Sequence, residues 1–149
     1  MKHNSEAQDY YGTIGLLLLV IMVAFDLFFL FLLFIANASY ALPIVLPICD
    51  VPLIIVMIYY FVVHFHYRNT KYINIQKVVF TSLEFSHLVR DRAALVGTAI
   101  VDGVEKRIHT TYTFTTHFLS RFVVSNFLAK ELTIGYDPKW GKWVVFEDK

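Results

Sequence analysis

Two aspartates inside otherwise apolar stretches are the residues whose chemistry most needs explaining. Asp26 is the only charge between positions 13 and 36, and Asp50 is the only formal charge between positions 41 and 64. A charge at the middle of a membrane helix costs about 2.5–3.5 kcal/mol or more, so such carboxyls are neutral and hydrogen-bonded, paired, or part of a proton or ion path. Neither stretch contains Lys or Arg, so a cationic partner for Asp26 would come from another chain.

Asp50 lies between Pro47 and Pro52. Each proline removes a backbone donor and pushes against the carbonyl four residues before it. Freed backbone groups need cover in lipid, so this half of the stretch is predicted to bend, line a small hydrated pocket, or pack against a larger partner. Asp26 is placed near the middle of its crossing and Asp50 nearer the outer interface. Together with Pro47 and Pro52 they are the predicted intramembrane assembly contacts.

His64 and His66 have the His-x-His spacing of a metal pair. On a helix the two rings point to different faces and cannot easily share one ion, so no metal site is predicted. Amphipathic rings favour the membrane–water interface instead. The predicted interfacial anchors are Tyr10, Tyr11, Tyr59, Tyr60, His64, His66 and Tyr67.

Motifs of known enzyme chemistry are absent from the sequence. There is no GxSxG elbow, P-loop, Rossmann glycine pattern or HExxH, and the single Cys49 excludes a disulfide framework. Residues 67–149 carry twelve basic against eight acidic residues, but the charges are scattered rather than clustered as nucleic-acid binding requires. The sequence therefore predicts no catalytic residues, no cofactor, no nucleic acid and no small-molecule substrate.

The elements that must position the aspartates are two long apolar helices. At about 1.5 Å per residue, residues 13–36 and 41–64 each cross a hydrocarbon core of roughly 30 Å, and neither has a polar face. We predict a cytoplasmic tail at 1–12 and a transmembrane helical hairpin at 13–66. The small residues at 36–38 have the spacing of a signal-peptidase site, but Asp26 and the second apolar run favour a retained segment.

The orientation of the hairpin follows from its flanking charges. The link at 37–42 has no basic residue, whereas Arg68, Lys71 and Lys77 follow the second apolar stretch. Basic residues favour the cytoplasmic side. We therefore expect a protein of the inner cell membrane, embedded in the lipid bilayer with both termini in the cytoplasm.

Residues 67–149 are predicted to form a cytoplasmic, small antiparallel all-β barrel or sandwich. Strands are predicted at 75–85, 94–101, 104–115, 118–124, 132–136 and 143–147, with a short helix at 80–89 as an alternative. Asp102-Gly103 predicts a type I′ hairpin turn, and Asp137-Pro138 predicts another turn. In 104–115 the alternation of side chains along the strand predicts one buried face. The opposite face, rich in threonine, is predicted to be wet (exposed to solvent) or to contact a partner.

The last third resembles a family of small bacterial membrane proteins that join one or two transmembrane helices to a small β-domain ending in a Tyr-Asp-Pro turn. The segments that carry the resemblance are Gly97-Thr98-Ala99-Ile100-Val101, Thr111-Tyr112-Thr113-Phe114, Leu132-Thr133-Ile134-Gly135-Tyr136-Asp137-Pro138 and Trp143-Val144-Val145. The resemblance implies a membrane anchor with a cytoplasmic β-module. It implies no catalytic residues.

Three functions fit these features. The first is a non-catalytic accessory subunit that docks through its hairpin into a larger membrane protein complex. The second is a membrane immunity or exclusion protein against a toxin or phage component. The third is a self-assembled ion-conducting oligomer that uses Asp26.

Overall fold

The computed structural model describes residues 5–35, 42–87, 89, 91–115 and 122–146, with side chains from residue 47 onward in the second helix. In chain order the elements are α1 (Glu6–Ile35), α2 (Leu42–Asn69), β1 (Ile73–Phe85), β2 (Ala93–Val101), β3 (Val104–His109), a 3₁₀ turn (Val124–Asn126), β4 (Glu131–Asp137) and β5 (Lys142–Val145). The chain divides into a helical unit (Tyr11–Phe65) and a sheet unit (Met1–Tyr10 with His66–Lys149).

The helical unit consists of two apolar helices that are long enough to cross a membrane. Helix α2 continues through Pro47 and Pro52, so the two prolines do not end the helix. The predicted bend, hydrated pocket or partner contact of this half stays a prediction. Large apolar side chains on both helices are exposed, among them Leu27 at 63%, Phe34 at 84% and Ile48 at 68%. The predicted link at 37–42 lies outside the described residues, except for Leu42 at the start of α2.

The sheet unit is a curled, five-stranded antiparallel sheet with the order β3-β2-β1-β4-β5. The long central strand β1 changes partners along its length. Residues up to Val79 pair with β4, residues from Phe80 pair with β2, and the register shifts after Phe80. A strand that serves two neighbours in succession must bend, and the irregularity adds local twist. The sheet therefore curls into a half-barrel.

The two outer strands of the half-barrel approach each other. Just beyond β3, Thr110 forms a parallel bridge with Trp143 of β5, and the Thr111 N–H donates to the Trp143 carbonyl at 3.1 Å. The enclosed core is apolar. It contains Val78, Phe80, Ala93, Leu95, Ala99, Ile108, Phe114, Val124, Ile134, Trp143 and Val145.

The β2–β3 connection is the two-residue turn that the sequence predicts. Asp102 and Gly103 have φ values of 56° and 77°, and Val101 pairs with Val104. A type I′ turn requires positive φ at both central positions. In the second predicted turn, the Gly141 N–H donates to the Asp137 carbonyl at 2.9 Å.

Strand β3 is shorter than predicted. It ends at His109, and the chain then turns so that Phe114 bridges Ala93. The threonine face was predicted to be wet or to meet a partner. Two of its residues are buried within the chain instead, since Thr111 is 6% and Thr113 is 0% exposed. Alternation in 104–115 is a local signal and did not reveal this turn.

Two other predictions concern the ends of strands. The alternative helix at 80–89 is wrong, because β1 remains extended to Phe85. In the predicted strand at 118–124, residues 118–121 lie outside the described residues, Val123 forms an isolated bridge with Thr115, and Val124 begins a 3₁₀ turn.

Candidate functional site: carboxyl groups in two environments

Helices α1 and α2 bring Asp26 and Asp50 together through a hydrogen bond between their side chains. A bond between two carboxyls requires that one of them supply the proton. The Oδ1 atoms of both residues are shielded and have no hydrogen-bond partner among the described residues. The pair thus satisfies part of its own hydrogen-bonding capacity and leaves two oxygens for a group from outside.

The sequence contains a signal for this pairing that the prediction missed. Asp26 lies ten positions before the end of the first apolar stretch (13–36), and Asp50 lies nine positions after the start of the second (41–64). At about 1.5 Å per residue, antiparallel helices place such positions at nearly the same depth, about 14–15 Å from the linked ends. The expectation that Asp50 lies nearer the outer interface than Asp26 therefore needs correction.

Small residues bring the two helices close together toward the start of α1. A Cβ atom on Gly12 would lie 2.6 Å from Nδ1 of His64, and one on Gly15 would lie 3.4 Å from the Phe61 ring. Small residues at a helix contact allow this kind of approach. His64 is therefore packed against α1.

Glu6, in the first turn of α1, is a buried carboxyl in the sheet unit. Its Oε1 accepts from the Thr111 hydroxyl at 2.9 Å and lies 3.4 Å from the Thr113 hydroxyl. Its Oε2 accepts from the Val145 N–H at 2.7 Å. Burial raises the pKa of Glu6 to about 8, although these hydrogen bonds oppose the shift. The predicted polar tail thus includes a residue that binds the interior of the sheet.

The sequence did contain a signal for this helix start. Ser5-x-x-Gln8 has the spacing of a capping box, and the Gln8 N–H donates to the Ser5 hydroxyl oxygen at 3.2 Å. That pattern places the first helical residue at Glu6. Nothing local to Glu6 predicts Thr111 and Thr113 as its partners, because they lie more than 100 positions away.

Asp137 is a second buried carboxyl of the sheet unit. Its Oδ2 lies 2.6 Å from Nε2 of His66, and its Oδ1 accepts from the backbone N–H groups of Lys139 at 2.9 Å and Trp140 at 3.4 Å. The His66 ring stacks on Trp140 with 3.6 Å between centroids. Asp137 therefore organises its own turn and also holds the last part of α2.

The predicted anchors occupy different environments. Tyr10 and Tyr67 are buried in the sheet unit at 8% and 3% exposure, whereas Tyr59 in the helical unit is 57% exposed. Tyr11 and Tyr60 contact each other with 5.7 Å between ring centroids. An interfacial position for these rings stays a prediction. Within the described ranges, no group of three His, Cys, Asp or Glu side chains could hold a metal ion.

Comparison of the chain with protein-family models, with curated proteins and with solved structures finds no match. The resemblance to small bacterial membrane proteins, carried by segments such as Tyr136-Asp137-Pro138, therefore stays a prediction.

Proposed function

We propose that the chain is a non-catalytic integral-membrane subunit. Its helical unit crosses the inner membrane twice and docks into a larger membrane protein complex, and its sheet unit binds partners in the cytoplasm. The observation that carries this proposal is the Asp26–Asp50 pair. The Oδ1 atoms of these two residues have no partner among the described residues. The helices that carry them expose large apolar side chains such as Leu27.

The energetics favour a partner over lipid alone. A buried polar group without a hydrogen bond costs about 1–3 kcal/mol, and hydrocarbon offers no donor. A donor from a neighbouring helix would remove this cost at Asp26 and Asp50. Such interhelical bonds are worth about 0.6–2 kcal/mol each, enough to select a docking position within an apolar surface.

The sheet unit supports a double crossing. Glu6 at the start of α1 and His66 near the end of α2 both bind inside this one unit. The start of α1 and the end of α2 belong to the same unit, which supports a hairpin with both of these ends on one side of the membrane. Arg68 lies in the last turn of α2, and Lys71 and Lys77 follow it; basic residues at that position favour the cytoplasmic side.

Purification in mild detergent, followed by mass determination of the intact complex, tests the docking proposal. We expect the wild-type chain to recover the same membrane proteins at a fixed ratio. Asp26→Asn keeps a donor and an acceptor at similar volume and should retain them. Asp26→Leu should lose them, because Asp50 and the partner would both lack a hydrogen-bonding group. Asp102→Asn makes the same chemical change on the exposed turn and should have no effect.

Other outcomes point to the other functions. A chain recovered without membrane proteins would contradict the subunit proposal and favour an immunity protein or, if several copies are present, a self-assembled oligomer. Normal assembly of Asp26→Asn with loss of function would indicate that the carboxyl carries a proton or ion.

Cysteine labelling tests the orientation separately. In a Cys49→Ala background, Ser125→Cys in the exposed part of the sheet unit should react with an impermeant maleimide only after the cells are permeabilised. Labelling of intact cells would place the sheet unit outside and overturn the orientation.

A further inference from the structure

An open cleft of about 260 Å³ lies where the end of β3 approaches the start of β5. Three of its lining residues carry basic side chains, namely Arg107 and His109 on β3 and Lys142 on β5. Tyr112 contributes aromatic surface to the same cleft. This volume is below the roughly 300–1,000 Å³ of sites for drug-sized ligands, so the cleft suits a small ligand or a headgroup.

The two permanent cations of the cleft have no carboxylate bound to them. Neither Arg107 nor Lys142 belongs to an ion pair of the sheet unit as far as its residues are described. They come from strands at opposite ends of the sheet order, and only the curling of the half-barrel brings them to one cleft. Glu84 balances part of the charge of these two cations, and an anion from outside the chain would neutralise the rest.

A carboxylate beside the cleft orients its other polar side chains. Glu84 on β1 accepts from the Tyr112 hydroxyl at 2.7 Å and lies 3.3 Å from Nδ1 of His109. The hydrogen bonds from Tyr112 and His109 lower the pKa of Glu84, so it stays ionised at neutral pH. Glu84 thus engages its two oxygens with Tyr112 and His109, and its charge also acts on Arg107 without an ion pair between the two among the described residues.

We propose that this cleft binds a phosphate group. The guanidinium of Arg107 presents paired donors that match two phosphate oxygens, and the ammonium of Lys142 supplies a compact second charge. The ring of Tyr112 packs against the group that carries the phosphate. The group is either a small soluble phosphate compound or the headgroup of an anionic lipid. This site is independent of the docking role proposed for Asp26 and Asp50.

Binding to the full chain in mild detergent distinguishes the two sources. Calorimetric titration with inorganic pyrophosphate measures whether the chain binds a soluble phosphate compound. Native mass spectrometry with short-chain phosphatidylglycerol, compared with phosphatidylcholine, measures whether the chain binds the headgroup of an anionic lipid. Binding of pyrophosphate, or of phosphatidylglycerol in preference to phosphatidylcholine, supports the site and identifies the source.

Variants then assign the binding to the cleft. Arg107→Gln and Lys142→Gln should each weaken the bound anion by about ten-fold, which corresponds to about 1.4 kcal/mol. Lys106→Gln is the matched control, because Lys106 is exposed on β3 next to Arg107 but does not line the cleft. All three positions are exposed, and thermal melting checks that each variant is folded.

Two results would overturn the proposal. One is that neither pyrophosphate nor phosphatidylglycerol binds the wild-type chain above the phosphatidylcholine background. The other is that Lys106→Gln weakens binding as much as Arg107→Gln and Lys142→Gln do, which would indicate a diffuse charge effect rather than a site.

Discussion

The shielded carboxyls of the helical unit and those of the sheet unit differ in their hydrogen-bond partners. In the sheet unit, Glu6 is bound by two threonine hydroxyls and a backbone N–H, and Asp137 is bound by His66 and two backbone N–H groups. In the helical unit, Asp26 and Asp50 bind each other and keep one oxygen each without a partner among the described residues.

The same difference holds for apolar side chains. The sheet unit buries Phe80, Phe114 and Ile134 completely, whereas the helical unit exposes Leu27 at 63% and Phe34 at 84%. Large exposed apolar surfaces mark contacts with a membrane or another protein. The sheet unit encloses an apolar core of its own, although it also exposes Ile100 at 65% and Val104 at 58%. The helical unit encloses no comparable core among its described residues, which supports the proposal that lipid and a partner cover it.

The largest expected effect tests whether the sheet unit depends on close internal packing. A Cβ atom on Gly135 would lie 2.6 Å from the Phe146 ring and 3.0 Å from Cβ of Tyr72. Gly135→Val should destabilise the sheet unit by about 3 kcal/mol, the upper part of the range for overpacking. Near-ultraviolet circular dichroism during heating measures this loss.

The helical signal in the far ultraviolet should survive the Gly135→Val change. Thr98→Val on β2 is the control, because Thr98 is exposed and valine suits a strand. Simultaneous loss of the helices would show that the two units depend on each other and would remove the basis of the comparison.

A smaller effect is the pH dependence that the buried carboxyl of Glu6 gives to the stability of the sheet unit. Burial raises the pKa of Glu6 in the fold to about 8 from its ordinary value of 4.5, so the folded state holds the proton more tightly. Stability therefore falls as pH rises from about 4.5 to about 8, and the loss is complete above that range. Between pH 6 and pH 9 we expect a loss of roughly 2–3 kcal/mol, on the order of 10 °C in melting temperature.

Glu6→Gln should abolish this pH dependence. Glutamine is neutral throughout, its carbonyl oxygen accepts from the Val145 N–H, and its amide donates to the Thr111 hydroxyl. Glu105→Gln, on an exposed part of β3, should melt like the wild-type chain at each pH. A wild-type sheet unit that gains stability between pH 6 and pH 9 would mean that Glu6 is ionised in the fold.

The smallest expected effect lies in the helical unit. Gly15→Ala meets the Phe61 ring at an ordinary contact distance of 3.4 Å and should gain about 0.5–1 kcal/mol from helix propensity. At Gly12 the same change meets the His64 ring at 2.6 Å, so the gain should be cancelled. Unfolding in a denaturing detergent, followed by the helical signal, measures the difference. Equal effects at both positions would mean that the His64 ring shifts freely.

Local patterns in the sequence were sufficient for the elements of the fold. Two apolar runs predicted α1 and α2, and β-type segments around Asp102-Gly103 predicted β2 and the start of β3. These features depend on neighbours within a few positions, namely side-chain periodicity and the φ preferences of turn residues. The ends of elements were less accurate, because alternation continued past His109 where β3 stops.

The candidate sites depend on contacts between distant positions, which a single sequence does not encode locally. Asp26 and Asp50 were identified as important, but their pairing required the antiparallel register of the two helices. Arg107 and Lys142 meet only because β1 changes partners and curls the sheet.

The bond between Glu6 and Val145 joins residues 139 positions apart in a chain of 149. During synthesis on the ribosome, the first turn of α1 therefore waits for this donor until β5 has been made. Contacts of such high sequence separation form late and slow folding. Both apolar helices are made long before β5, so they leave the ribosome before the sheet unit can be completed. A truncation just before β5 would leave the Glu6 carboxyl without its backbone donor.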